Sequence, residues 1–295
     1  MPTLKTVVDG FVCQQTYDNA TLGRLQFWVD QLGDKELSAI SEDEVDAALI
    51  RLAERGRLRA GRGLATEPVG KPLAGSTLNR YVGQLASVFK YARRLRLLPR
   101  AHVPPTRGVE KAPENTQHDR YFRPEEVERL VKVARLIDSK WGRMEALIVL
   151  AYHTGLRKSN CLGLRWRDVD LDERTARVGK SKNGDPIYSA LSQRVVGLLR
   201  KLPDKKPDDL VFPGRKGRPF DIRRLWVAVC AEANIQNRTF HSLRHGCGHA
   251  LANAGTNQAV IMKIMCHRSF AASARYMHAD ANDKRDVIDR VFDHG

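Results

Sequence analysis

His241 and Arg244 stand three residues apart in the run F-H-S-L-R-H-G-C-G-H-A-L, Phe240 to Leu251. In a helix, positions three apart share a face, so both side chains can address one ligand group. The Arg guanidinium is a planar fork of donors that suits phosphate oxygens. Further on come His267, in C-H-R-S, and Tyr276, nine residues beyond it, in R-Y-M-H. A tyrosine hydroxyl acts as a nucleophile once it is positioned and helped to lose its proton. An imidazole and a guanidinium, a second imidazole and a tyrosine are the parts for attacking a phosphodiester.

Two earlier segments supply what this set lacks. Tyr152 to Arg165 reads Y-H-T-G-L-R-K-S-N-C-L-G-L-R, and Gly179 to Leu191 reads G-K-S-K-N-G-D-P-I-Y-S-A-L. Taken in order, the segments resemble the tyrosine recombinases of the phage-integrase type. That family carries a T-G-L-R box, a Lys on a β-hairpin, an H-x-L-R-H box, a G-H dipeptide and a Tyr nine residues after that His. All five stand here in order, with Cys266-His267 in place of G-H.

The resemblance implies a mainly α fold with a small antiparallel sheet: an all-helical core-binding domain followed by an integrase-like catalytic domain. It implies that Arg157 and Arg244 hold the non-bridging oxygens of the scissile phosphate, where charge builds in the transition state. Lys182, beside the Asn183-Gly184 turn, becomes the general acid to the departing 5′ oxygen, with Lys180 the alternative. His241 and His267 both donate to the phosphate, and one of them assists proton movement to or from Tyr276, the nucleophile. It further implies double-stranded DNA as partner, a homotetramer on DNA, and neither a metal nor a cofactor. Each residue also has a plainer reading: an ion-paired surface Arg, a solvated Lys, a packed His, a half-buried Tyr. The ordered set, not any one member, favours the chemistry. Three positions depart from the family pattern. Asn160 replaces an acid three residues after the first Arg, Cys266 replaces Gly, and Ala190 replaces Pro before Leu191.

The elements that must position these residues fall into two groups. Leu22, Leu25, Trp28, Val29 and Leu32 recur at helical spacing and predict a helix from Thr16 to Gly33. Ser41 with Glu44 is a capping-box pattern opening a second helix. Residues 55 to 75 read as a loop with four arginines, Arg55, Arg57, Arg59 and Arg62. Ser76 or Thr77 is expected to cap a long helix through about Arg94, ending in K-Y-A-R-R-L-R, a candidate for phosphate-backbone contact. Residues 1–98 are thus read as a helical unit and 99–118, with four prolines, as a linker. Residues 119–295 are read as the second domain. A buried helix, Arg143 to His153, stops at Gly155. Three strands, Trp166 to Leu171, Thr175 to Val178 and Ile187 to Leu191, come before a helical remainder beginning at Ser192.

Composition agrees with this class. The chain has 295 residues, 42% hydrophobic and 28% charged, enough for two cores. Its net charge of +16 and pI near 9.9 point to a polyanion partner, most simply nucleic acid. No apolar run approaches the ~20 residues of a membrane span. Asp9 interrupts the position a signal peptide needs apolar, so a cytoplasmic location is expected. Five cysteines form no C-x-x-C pair and read as reduced thiols. His241, His245 and His249, at i, i+4 and i+8, offer a rival zinc face, but no Glu follows the first His as a base. Two further readings share the DNA partner: a binding protein with a decayed site, and a relaxing enzyme of type IB topoisomerase character.

Overall fold

The computed structural model describes residues 1–60, 66–68, 70–114, 121–180, 186–203 and 206–266. The chain forms two compact units, 1–116 and 117–295.

The first unit is helical. Its helices are α1 (Leu4–Val12), α2 (Asn19–Leu32), α3 (Glu42–Arg55) and, after a short hairpin, α4 (Gly75–Arg94). Asp18 caps α2 through the Thr21 amide at 2.7 Å. Ser41 and Glu44 form the expected capping box on α3. Trp28 and Phe89 are fully buried at the centre, and the Trp28 indole donates to the Tyr81 carbonyl at 2.9 Å.

Three features of this unit differ from the sequence expectation. The helix α1 is additional: Leu4, Val7 and Val8 give it a buried stripe, and the Thr3 hydroxyl accepts from Thr6 N. The arginine-rich stretch includes two short antiparallel strands, β1 (Leu58–Ala60) and β2 (Thr66–Pro68). Neither Ser76 nor Thr77 caps α4, because the helix starts one residue earlier. Ala74 is its N-cap and makes no side-chain bond. Gly75 lies so close to the Pro113 carbonyl that a Cβ would stand 2.1 Å from it.

The same contact shows what residues 99–114 do. The Asn79 side chain donates to Ala112 O and accepts from Ala112 N, both at 2.9 Å. Pro105 and Val109 are buried, and His102 stacks on Phe89. The proline-rich stretch expected as a linker therefore packs on the first unit as far as residue 114. Its prolines allow only a 3-10 turn, Pro105–Arg107, and do not prevent burial.

The second unit begins with α5 (Pro124–Ile137) and α6 (Arg143–Thr154), then the short α7 (Lys158–Gly163). Pro124 takes the first helical turn, and the Arg123 amide donates to Glu126 at 2.8 Å. Residues 144–151 of α6 are buried on every face, so this helix is the axis of the unit. Against it pack α5, α7, α8 (Gln193–Arg200) and α10 (His241–Asn253). Between α7 and α8 lies an antiparallel sheet in the order β3 (Val169–Asp170), β4 (Thr175–Lys180), β5 (Pro186–Ala190). Its register pairs Thr175 with Ala190 and Arg177 with Tyr188, with a bulge between Arg177 and Gly179. Residues 166–168, expected as strand, form a 3-10 turn instead. The helices α9 (Arg223–Glu232) and α11 (Gln258–Ile264) are the remaining α-helices among the described residues of the unit. No helix among the described residues is long and apolar enough to cross a membrane.

Candidate active site

The site is built around the end of α6. Thr154 is fully buried; its hydroxyl donates to Leu150 O at 2.6 Å and accepts from Leu156 N at 3.3 Å. Gly155 then ends the helix in the left-handed region, φ +61°, a conformation glycine adopts without steric penalty. Space is tight as well, because a Cβ would meet Met265 Cγ at 3.1 Å and Cys247 Sγ at 3.2 Å, so those side chains would have to give by a few tenths of an ångström. The buried Leu156 anchors the exit, and Arg157 becomes the N-cap of α7, with its side chain exposed.

The second arginine reaches the same turn from α10. Arg244 is only 4% exposed, and its Nη1 donates to the Gly155 carbonyl. That bond joins the T-G-L-R box to the H-x-L-R-H box across 89 residues. Close approach of α10 makes it possible. A Cβ on Gly246 would stand 2.5 Å from the Phe122 carbonyl and 2.9 Å from Tyr152 Cε2. His241 opens α10 exposed, and His245 is half-buried, their rings edge to face at 4.9 Å. His249 stacks on Tyr121 at 3.8 Å. Of the three imidazoles that the i, i+4, i+8 spacing aligns, the first two thus contact each other and the third stacks on an aromatic ring.

Cys266 completes the described part of the site. Burial raises its thiol pKa, and the nearby Arg244 and Arg157 oppose that rise, so both guanidinium groups stand within electrostatic reach of it. Its φ is +51°, the left-handed turn that the glycine of a G-H dipeptide would adopt freely. Burial also pushes the Cys161 and Cys247 thiols up to about 12, so both are held neutral beside Arg244. Asn160 donates its amide N–H to Arg157 O at 2.9 Å. With Ser159, Asp168, Arg177 and Gly179 it lines a cavity of about 330 Å³ between α7 and β4. Ala190 is exposed at the end of β5, paired with Thr175.

The structure therefore brings Arg157, Arg244 and Cys266 together, with His241 one turn before Arg244 on α10. Lys182, His267, Tyr276 and the Asn183-Gly184 turn lie outside the described residues. The backbone of Lys180 ends β4, opposite Pro186. Sequence reasoning missed the contributions of Thr154 and Gly246. The helix-ending Thr-Gly pair was a visible signal for the first, whereas the second needs the helix crossing.

The phage integrase family matches residues 120–283, over half of the chain. The integrase of Salmonella phage P22 is 24% identical over 298 residues, spanning 91% of this chain and 74% of that protein. Tyrosine recombinase XerC of Bacillus subtilis is 24% identical, spanning 72% of this chain and 73% of its own. Among solved structures, the Tn1549 transposon integrase in complex with a circular intermediate DNA superposes with a TM-score of 0.74 at 17% identity, covering 99% of this chain and 100% of that one. A lambda integrase dimer bound to a core site gives 0.67 at 14% identity, covering 95% and 96%. With this match across the unit that holds both arginines, the chain belongs to the phage integrase family.

Proposed function

We propose that this protein is a site-specific DNA recombinase that cuts and rejoins double-stranded DNA through a tyrosine. The observation that carries the reading is the bond from Arg244 to the Gly155 carbonyl, which unites the two arginine boxes within the family match. Two guanidinium groups at one turn form a receptor for a phosphate whose charge grows during reaction. In this reading Tyr276 Oη attacks the scissile phosphorus, and the P–O bond to the 5′ oxygen breaks. A 3′-phosphotyrosyl link remains, and Lys182, or Lys180, delivers a proton to the departing oxygen. His241 and His267 both donate to the phosphate, and one of them takes up the tyrosine proton. A 5′ hydroxyl from a partner strand then attacks the link and releases Tyr276. Bond energy stays in the link, so the cycle needs no nucleotide cofactor. Residues 1–98 serve as the core-binding domain and 119–295 as the catalytic domain, four protomers assemble on DNA, and the compartment is the cytoplasm.

The test is Tyr276→Phe on nicked duplexes spanning the DNA that flanks the gene. A short fragment diffuses away after cleavage and traps the adduct. Wild type is expected to give a protein–DNA band at the 3′ end of the cut, and the Phe variant none at equal affinity. An adduct that persists in the variant removes the mechanism. A second reading, a DNA-binding protein with a decayed site, draws on the strained Cys266 at the place of a glycine. Wild type that binds these duplexes yet forms no adduct would establish it.

A further inference from the structure

His153 lies in the last turn of α6, two residues before the Gly155 carbonyl that receives Arg244. Its Nδ1 meets Ser192 Oγ at 2.7 Å, across 39 residues of chain. Ser192 is the N-cap of α8, and its Oγ accepts from Val195 N at 3.3 Å. The hydroxyl keeps a second lone pair as well as its proton, so the bond forms with either Oγ or Nδ1 as donor, according to the imidazole tautomer. Ser192 is also the root of the hairpin, two residues past the end of β5. Between them Leu191 is buried, and its amide donates to Arg174 O at 2.8 Å, next to the start of β4.

The surroundings favour a neutral imidazole. Burial lowers the His153 pKa, Arg194 from α8 adds to that, and Glu128 from α5 opposes it. Glu128 and Arg194 form their own bidentate pair beside the ring, and Tyr152 stands edge-on at 6.0 Å. A plain reading is a helix-end histidine satisfied by a hydroxyl. Its location argues for more, because the contact joins the end of β5 to the turn leading into Arg157.

We infer that His153 is a positioning residue: its bond to Ser192 pins the root of β5 to the end of α6 and so holds the β4–β5 pair in place relative to the turn that carries Arg157. This inference rests on the recombinase reading above. A misplacement of about 1 Å at a reacting group costs on the order of a hundredfold in rate, so a small slip at this root is enough to matter.

The experiment is single-turnover cleavage of the same nicked duplexes at saturating protein, with DNA affinity and thermal melting measured alongside. His153→Ala is expected to lower cleavage by about tenfold or more while affinity changes little. His153→Asn places a side-chain amide near the position of Nδ1, where it can accept from or donate to Ser192 Oγ, and is expected to restore most of the rate. Ser192→Gly deletes the hydroxyl with only a small loss of capping. It should match His153→Ala, and the double variant should be no slower than either single one. Should His153→Ala melt too low to assay, Ser192→Gly carries the same expectation. Wild-type cleavage with an unaffected His153→Ala or Ser192→Gly overturns the inference alone, as does additivity of the two losses. Wild type that forms no adduct overturns the recombinase reading and this inference with it.

Discussion

Arg157→Ala and Arg244→Ala should separate catalysis from stability. Each variant loses a donor to the scissile phosphate, which is worth about 3 kcal/mol of barrier, roughly a hundredfold in cleavage rate. Their folding consequences should differ, because Arg157 is exposed while Arg244 is 4% exposed and donates to the Gly155 carbonyl. Truncating an exposed side chain usually moves stability by no more than about 0.5 kcal/mol. Truncating Arg244 deprives a buried carbonyl of its donor, about 1–3 kcal/mol, and opens space beside Gly155. Relief of a buried charge offsets part of this, leaving a net loss of about 2 kcal/mol. In a unit of this size that lowers Tm by about 4–8 °C. The assay pairs single-turnover cleavage of a nicked duplex with calorimetric melting of the full chain. Equal melting of the two variants, or a larger drop for Arg157→Ala, would refute the assignment of separate roles.

Cys266→Gly should raise stability by about 1 kcal/mol, because Cys266 has a φ of +51° and glycine takes that conformation without the Cβ penalty; an unchanged denaturant midpoint would contradict this. Gly246→Ala should destabilise by about 1–3 kcal/mol, since the new methyl meets the Phe122 carbonyl at 2.5 Å, and should slow cleavage as α10 shifts away from α6; wild-type melting would show that the crossing relaxes freely. His153 has a folded pKa below its usual 6.5, so the folded state binds fewer protons than the unfolded chain. Its contribution is complete above pH 6.5 and is lost as pH falls through the folded value. His153→Asn should therefore lose less Tm than wild type on acidification below pH 6.5, and parallel melting profiles would contradict the shift.

Local signals were legible in the sequence, and long-range ones were not. The Ser41–Glu44 capping box and the stop at Gly155 depend on a few adjacent residues, and they stand where the sequence puts them. The start of α4 does not, because Gly75 is set by contact with Pro113, far along the chain. The proline count of residues 99–118 suggested a free tether, yet Asn79 and Phe89 hold that stretch through contacts no local pattern reveals. Helix α1 was a different kind of miss, since Thr3 and the Leu4, Val7, Val8 stripe were in view. At the site, motif order identified the residue types. It did not distinguish an exposed arginine from a buried one, because burial of Arg244 follows from the α6–α10 crossing that Gly246 and Gly155 permit.

That distinction bears on how the two arginines act. Arg244 is already held by the Gly155 carbonyl, so in the proposed reading its guanidinium would stabilise the transition state without first being ordered. Arg157, exposed at the N-cap of α7, loses rotamer freedom when a phosphate arrives, a cost of about 0.5–1.5 kcal/mol for such a side chain. Part of its interaction energy with phosphate is therefore spent at binding. Cys266 stands within electrostatic reach of both, at a position where a glycine would leave that space open. In the proposed reading the departure at 266 therefore bears on both arginines, the fixed one as well as the adaptable one.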